Sequence, residues 1–305
     1  MKFLQTLIAA SLLGSALSSS ALAQSTGSGD ATDLLRPWMS KDVGEAWKQG
    51  YKGAGTTMTF VDDFQSKNFL RGKLGTKSEN LLHGQWTLKE ASLIAPSANV
   101  ATQDFYSGTS VQLTSTGLNI LNLSYAMYYR KGLDASKINW SQQESSIIDH
   151  AKNGLAVVSK AAGNDAVPIG RPNRSGNVDY LNTALRGATS AIYVGALSKN
   201  GAPTAKASLA NYSNTAGTDL TTQNQFIVVG VDNSKTGLSG TSFAAPVISG
   251  YAAILGSKFT QASPTDITNQ LLSTARIDTV VKYNPATYGR GEASLSRALA
   301  PVSMK

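Results

Sequence analysis

The stretch GLSGTSFAAPVISGYAAIL, residues 237–255, contains the most informative motif of the chain. Its apolar residues predict a helix over residues 242–255 with Ser242 in the first turn. The start of a helix has free backbone N–H groups and a partial positive charge, which stabilise a developing oxyanion. Gly240 leaves space for a substrate, and Pro246 is tolerated early in a helix. A serine that only capped the helix would need neither residue, so the stretch favours a nucleophilic serine.

A serine nucleophile needs a neighbouring base, and the sequence has only two histidines. His150 lies in a predicted helix over residues 141–153, where a structural or solvent-facing role is favoured. His83 lies where a short apolar run meets Gly84, which is a better position for a side chain that faces a ligand. We therefore interpret His83 as the candidate base.

The base needs a carboxylate that orients it, and the oxyanion needs a second donor. Asp62 ends the β-rich run at residues 56–61 and Asp63 follows it, so spacing alone allows either to be the partner of the histidine. Asn164 ends another strand, in Ala-Ala-Gly-Asn, where its amide could donate to the oxyanion; the alternative is a turn asparagine. Active sites in parallel sheets gather at the carboxyl ends of the strands.

Strands that alternate with helices predict an α/β fold with a largely parallel, buried sheet. The predicted strands lie within residues 56–61, 91–100, 118–124, 155–162, 191–196 and 225–231. The predicted helices lie at residues 43–49, 141–153, 242–255 and 263–274. Residues 34–305 contain no linker, so they are predicted to form one domain.

The N-terminus has the three parts of a secretory signal peptide. Lys2 is basic, residues 3–17 are apolar, and Ala-Leu-Ala at residues 21–23 is a cleavage site. The sequence therefore predicts a signal peptide at residues 1–23, cleavage near Ala23 and a secreted or periplasmic protein. Residues 24–33, rich in Ser, Gly and Thr, predict a flexible leader.

Composition excludes several classes of protein. The chain has 305 residues, of which 41% are hydrophobic and 15% charged, which excludes general disorder. The net charge of +8 is spread along the sequence without a basic stripe, so no nucleic-acid partner is expected. No apolar run of about 18 residues predicts a membrane span. The absence of cysteine excludes disulfides, Cys-ligated metals and a cysteine nucleophile.

The order of these motifs resembles that of the subtilisin-like serine peptidases, the subtilase family. The stretch GTSFAAP around Ser242 is similar to the family's serine motif, and AAGN, which ends at Asn164, is similar to its oxyanion motif. The stretch TFVDDF around Asp62 is similar to the strand that carries the family's aspartate, and His83-Gly84 is similar to the start of its histidine motif. The resemblance extends from about Trp38 to about Leu299. It implies a three-layer fold, with a parallel sheet between helices, and endopeptidase activity on polypeptides.

The resemblance also implies the roles of individual residues. Ser242 is the expected nucleophile, His83 the base, Asp62 the residue that orients it, and Asn164 the oxyanion donor. We expect His83 within about 3–3.5 Å of both Ser242 Oγ and an Asp62 oxygen. The segments that flank the residue before the cut supply the expected substrate-binding residues, Ser124, Tyr125, Ala126 and Gly163.

Some properties stay open at this level. The chemistry needs no cofactor; a structural calcium ion is compatible with the family, but the sequence assigns no ligands to it. The roughly twenty residues between Ala23 and the first family-like helix are too few for a folding propeptide domain, so a folding helper or inhibitor protein is a candidate partner. The alternatives to a peptidase are a catalytically weak homologue that binds peptides or a partner protein, and an esterase or amidase.

Overall fold

The computed structural model describes residues 34–304 together with Leu4 and Gln5. The rest of the predicted signal peptide (1–23) and the predicted leader (24–33) lie outside the described residues. The strands are β1 Leu4–Gln5, β2 Thr56–Asp62, β3 Leu70–Gly72, β4 Glu79–Leu81, β5 Asn99–Asp104, β6 Leu118–Leu123, β7 Met127–Arg130, β8 Val157–Ala161, β9 Asn177–Asp179, β10 Ala191–Leu197 and β11 Phe226–Gly230.

A six-stranded parallel sheet forms the centre of the fold, in the order β11-β10-β8-β6-β2-β5. Every residue of β2, β6, β8, β10 and β11 is buried, because helices cover both faces of the sheet. The predicted α/β fold is confirmed, and these five strands coincide with predicted ones to within two residues at each end. Two small antiparallel sheets, β1-β7-β9 and β3-β4, lie beside it.

The helices form the two outer layers. They are α1 Lys41–Lys48, α2 His83–Ile94, α3 Gln142–Lys152, α4 Tyr180–Leu185, α5 Leu220–Gln225, α6 Asn233–Thr236, α7 Ala245–Lys258, α8 Pro264–Ser273, α9 Pro285–Tyr288 and α10 Leu295–Leu299, with 3₁₀ turns at Ala135–Lys137 and Thr241–Phe243. Helix α7 packs with α2 in one apolar core, and α3 and α4 pack in the other, on the opposite face of the sheet. This is the three-layer arrangement that the resemblance implies.

Two predicted elements have different bounds in the structure. The strand predicted within residues 91–100 begins only at Asn99, because Ala91 and the following apolar residues complete α2. Gly250 of α7 lets these helices approach: a Cβ there would lie 2.6 Å from Ile94 Cγ2. The helix predicted from Ser242 begins at Ala245, after a separate 3₁₀ turn. Gly240, with φ of 124°, starts that turn by accepting a hydrogen bond from Phe243 N at 3.0 Å.

The parallel sheet brings distant parts of the sequence to one edge. Asp62 ends β2, Ser124 follows β6, and Asn164 lies shortly after β8. Since β2, β6 and β8 are neighbours, their carboxyl ends lie side by side. None of the helices in the described residues combines the length and apolar character that a membrane crossing requires.

Candidate active site

His83 and Asp62 form a buried pair at the carboxyl edge of the sheet. His83 begins α2, and its Nδ1 lies 2.5 Å from Asp62 Oδ1. The Asp62 carboxylate also accepts hydrogen bonds from Asp63 N at 2.7 Å and from Thr87 Oγ1 at 2.9 Å. These contacts fix the carboxylate, which in turn holds the imidazole through Nδ1. Nε2 is then the ring nitrogen that can contact another group.

The structure separates the two neighbouring aspartates. Asp63 turns away from His83 and caps the following loop, where its carboxylate accepts hydrogen bonds from Gln65 N at 3.3 Å, Ser66 N at 2.9 Å and Ser66 Oγ at 2.5 Å. Of the two carboxylates that spacing left open, Asp62 therefore contacts the histidine.

The surroundings of His83 change its proton affinity. Burial alone would lower the pKa of the imidazole, but the charge and hydrogen bond of Asp62, with the charge of Asp63 added, raise it above its usual value. An imidazolium at this position is therefore stabilised.

Ser242 lies in the 3₁₀ turn that precedes α7, and its neighbour is Ser124. Ser124 Oγ donates to Ser242 O at 2.9 Å, and Ser242 Oγ donates to Ser124 O at 3.2 Å. His83 lies as close to Asp62 as expected. The Ser242 hydroxyl, in contrast, donates its hydrogen bond to Ser124 O. Such hydroxyls rotate between staggered positions, and catalytic hydrogen bonds often tighten only when substrate is bound.

A chain of buried polar groups holds the Ser242 turn against the sheet. Ser249 Oγ of α7 donates to Asn122 Oδ1 at 3.1 Å, and Asn122 Nδ2 donates to Ser124 Oγ at 3.0 Å. Ser124 in turn donates to the Ser242 carbonyl. The chain therefore joins α7, β6 and the candidate nucleophile.

Asn164 is oriented by Thr241. Its Oδ1 accepts hydrogen bonds from Thr241 N at 2.8 Å and Thr241 Oγ1 at 2.9 Å. With the carbonyl oxygen used, the amide nitrogen is the group left to donate to a ligand. A Cβ on Gly240 would lie 3.3 Å from Asn164 Nδ2, so glycine keeps this side accessible.

One cavity of about 270 Å³ joins the predicted site residues. It is lined by His83, Ser124, Tyr125, Ala126, Gly163, Asn164 and Ser242, together with Leu70, Tyr128, Lys160, Ala161, Ser239, Thr241 and Phe243. Asp62 lies behind His83 and is completely buried. The residues predicted to be catalytic and substrate-binding thus meet at one place.

His150 lies elsewhere, in α3. Its Nε2 is 3.0 Å from the Val111 carbonyl oxygen, in keeping with the structural role favoured by the sequence.

Thr87 and Thr241 are site residues that the sequence reasoning did not identify. Thr241 lies inside the serine motif, next to Gly240, and its hydroxyl group at that position is a signal in the sequence. Thr87 lies four residues after His83, on the same helix face, a signal readable only once α2 is known to begin at His83.

Within residues 34–304 no group of three or more Asp, Glu or His side chains could hold a metal ion.

Glu90 is a buried carboxyl group on α2, one turn beyond Thr87. It is 4% exposed, and its Oε2 has no hydrogen-bond partner among the described residues. Burial raises the pKa of Glu90 well above its usual value. Because the pKa of Glu90 is higher in the folded than in the unfolded protein, the protonated carboxyl group favours the folded state. This contribution to the free energy of unfolding is fully present below the pKa of the unfolded protein and is lost as the pH rises through the pKa of the folded protein.

We therefore expect Glu90→Gln to raise the melting temperature at pH 8 by at least about 2 °C and to have little effect near pH 4. Thermal unfolding followed by circular dichroism across this pH range measures the difference. Glu45→Gln, at an exposed position on α1, is the control. A Glu90→Gln effect that is equal at both pH values would contradict the prediction.

The sequence of this chain is similar to those of known proteins. Residues 74–297 match the Subtilase family, Peptidase_S8. Mycosin-5 of Mycobacterium tuberculosis is 27% identical over 223 residues, which are 61% of this chain and 38% of mycosin-5. The chain thus spans well under half the length of that curated relative.

Solved structures share the fold at low identity. A structure of the serine protease MycP1, described as an essential component of the type VII (ESX-1) secretion system, has a TM-score of 0.57 and 18% identity, with 90% of each chain covered. A lanthipeptide protease has a TM-score of 0.55 and 15% identity, with 84% of this chain and 90% of the other covered.

Proposed function

Because the chain belongs to the subtilase family of serine peptidases, we propose that it is a secreted endopeptidase that cleaves polypeptides through a Ser242 acyl-enzyme. The observation that carries the proposal is the contact between His83 and the buried Asp62, with His83 lining a cavity that Ser242 and Asn164 also line. These four residues come from distant parts of the sequence, and their types are those that acyl transfer uses as nucleophile, base, orienting carboxylate and oxyanion donor.

Each residue has a role in the proposed mechanism. Ser242 Oγ attacks the scissile carbonyl, and His83 Nε2 takes the hydroxyl proton and later gives it to the leaving amine. Asp62 holds the imidazole through Nδ1 and stabilises the imidazolium. Water then hydrolyses the acyl-enzyme by the same proton transfers.

The negative charge that develops on the carbonyl oxygen needs donors that are already in place. In the proposal, Asn164 Nδ2 and the Ser242 backbone N–H supply them. Thr241 supports this role, because its two hydrogen bonds leave the amide nitrogen of Asn164 to face the cavity.

A fluorophosphonate probe tests the proposed activity. The purified protein is expected to be labelled at Ser242, as located by peptide mass spectrometry, and Ser242→Ala is expected to remain unlabelled. A second subtilase serves as the positive control. If this control is labelled and the protein is not, the peptidase proposal fails.

A catalytically weak homologue that binds peptides is the second candidate. The hydrogen bond from Ser242 Oγ to Ser124 O supports it, because the nucleophile is not directed at His83. It predicts peptide binding without cleavage and without probe labelling.

Comparing turnover of an ester with that of a polypeptide separates the peptidase from an esterase.

Asn164→Ala is expected to lower kcat by about 10²–10³-fold, because the lost donor acts on the oxyanion of the transition state. KM should change little, since the interaction is weak in the ground state. Steady-state kinetics on a peptide nitroanilide measure both constants. Asn153→Ala, on an exposed asparagine after α3, is the control. A rise in KM at unchanged kcat would assign Asn164 to substrate binding instead.

Secretion or periplasmic export is also proposed, on the strength of the sequence pattern at residues 1–23. N-terminal sequencing of the protein recovered outside the cytoplasm tests it. A mature N-terminus near Gln24 is expected, and retention of Met1 in that fraction would contradict cleavage.

A further inference from the structure

The cavity beside Ser242 is bounded by two walls of different origin. One wall follows the end of β6 and reaches the start of β7; it consists of Ser124, Tyr125, Ala126 and Tyr128. The other lies at and after the end of β8; it consists of Lys160, Ala161, Gly163 and Asn164. In the proposed mechanism a substrate carbonyl lies at Ser242 Oγ and Asn164, and the family resemblance implies that the two walls then flank the side chain before the cut. The shape of the space between them therefore selects that side chain.

Tyr128 extends from the first wall to the second. It lines the cavity, and its hydroxyl donates a hydrogen bond of 2.5 Å to Asp165 Oδ2, just beyond Asn164. Burial, followed by the hydrogen bond to Asp165, raises the pKa of Tyr128 well above its usual value, so the phenol remains a donor.

Asp165 is itself held in place. Its backbone N–H donates to Asn214 Oδ1 at 3.0 Å, and its Oδ1 accepts from Asn173 Nδ2 at 3.3 Å. The Tyr128–Asp165 hydrogen bond thus joins two anchored segments.

A buried ion pair joins the same walls at a second level. Lys160 Nζ lies 3.1 Å from Asp179 Oδ2 and donates to the Ala161 carbonyl at 2.8 Å. Asp179 Oδ1 accepts from Met127 N at 3.0 Å, which attaches the start of β7 to the pair. Both charged side chains are nearly inaccessible, at 1% and 7% exposure. The walls are therefore fixed in separation, since moving them would expose or unpair buried charges.

We propose that the Tyr128–Asp165 hydrogen bond closes the substrate pocket, so that the residue before the cut must have a small side chain such as that of alanine. Tyr128 is then the specificity-determining residue, because its ring occupies the space that a large side chain needs. The inference rests on the proposed function and adds the substrate class to it.

Two peptide nitroanilides that differ only in alanine or phenylalanine before the cut test the pocket. For the wild type we expect kcat/KM to favour alanine by about 100-fold. Tyr128→Ala is expected to reduce this preference at least tenfold, whereas Tyr128→Phe, which keeps the ring, reduces it less. Tyr129→Ala is the matched control, because the neighbouring side chain on a strand points to the opposite face.

A binding measurement separates this inference from the proposed function. The same two sequences, carried as fluorescent peptides, are titrated into Ser242→Ala and into Ser242→Ala with Tyr128→Ala, and anisotropy gives the Kd values. The same change in preference is expected, even if the wild-type protein proves unable to cleave. Thermal unfolding of every variant confirms that it is folded.

Three results would overturn the proposal. The first is a wild type that accepts phenylalanine as well as alanine. The second is an equal change of preference in the Tyr128→Ala and Tyr129→Ala variants. The third is an absence of peptide binding in the Ser242→Ala background.

Discussion

Replacing Ser242 with alanine is expected to lower kcat on a peptide substrate by about 10⁶-fold. The hydroxyl oxygen forms the covalent bond of the acyl-enzyme, so no neighbouring group can substitute for it. A residual rate of about 10³–10⁴-fold above water is expected from the oxyanion donors and substrate positioning. Progress curves at high enzyme concentration measure the loss.

Ser257→Ala is the matched control, because Ser257 lies on α7 and donates only to the Ile254 carbonyl, at 2.7 Å. It should retain activity within about threefold, because Ser257 is not among the residues that line the cavity. If Ser242→Ala keeps more than a tenth of the wild-type rate, the nucleophile lies elsewhere.

Asp62→Asn is expected to lower kcat by about 10⁴-fold at pH 7, because an amide no longer holds the imidazole in the tautomer that accepts the serine proton. Asp63→Asn, on the adjacent carboxylate that caps a loop, should cost less than about tenfold. The contrast between two neighbouring aspartates makes the comparison specific. Equal losses in both variants would show that the site depends on the loop rather than on the contact with His83.

The same pair of variants tests the proton affinity of His83. Since its pKa is raised, the neutral base form requires a pH above that value, and kcat/KM should rise as the pH rises through it. NMR titration of the two histidine rings should show the pKa of His83 falling in Asp62→Asn. A His150→Gln spectrum assigns the signals.

The sequence predicts most of the sheet because its strands are continuous apolar runs followed by polar residues. Residues 191–196 and 225–231 are of this kind, and the structure places β10 and β11 there. The sequence does not predict helix α2, because its apolar end at Ala91 and Ile94 has the local pattern of a strand. In the structure this end packs against Gly250 of α7, more than 150 positions away, a contact that the local sequence does not reveal.

The candidate site could be predicted where chemistry and position coincide in one short motif. Asn164 directly follows Gly163, and Ser242 comes two residues after Gly240, so each could be assigned a role from its neighbours. The partners Thr87, Tyr128 and Lys160 could not, because their contacts depend on the register of helices and strands brought together from separate segments. A hydroxyl or an ammonium group alone does not indicate what it will contact.

The hydrogen-bonded chain from Ser249 through Asn122 and Ser124 to Ser242 has a consequence for heat inactivation. Because these hydrogen bonds attach the reactive turn to the central sheet, we expect the turn to loosen only when the sheet itself melts. Residual activity and ellipticity should therefore fall with the same midpoint on heating, and an earlier loss of activity would show that the turn moves independently. The chain has no cysteine and therefore no disulfide near Ser242. The resistance of this turn to heat then depends on the stability of the whole core.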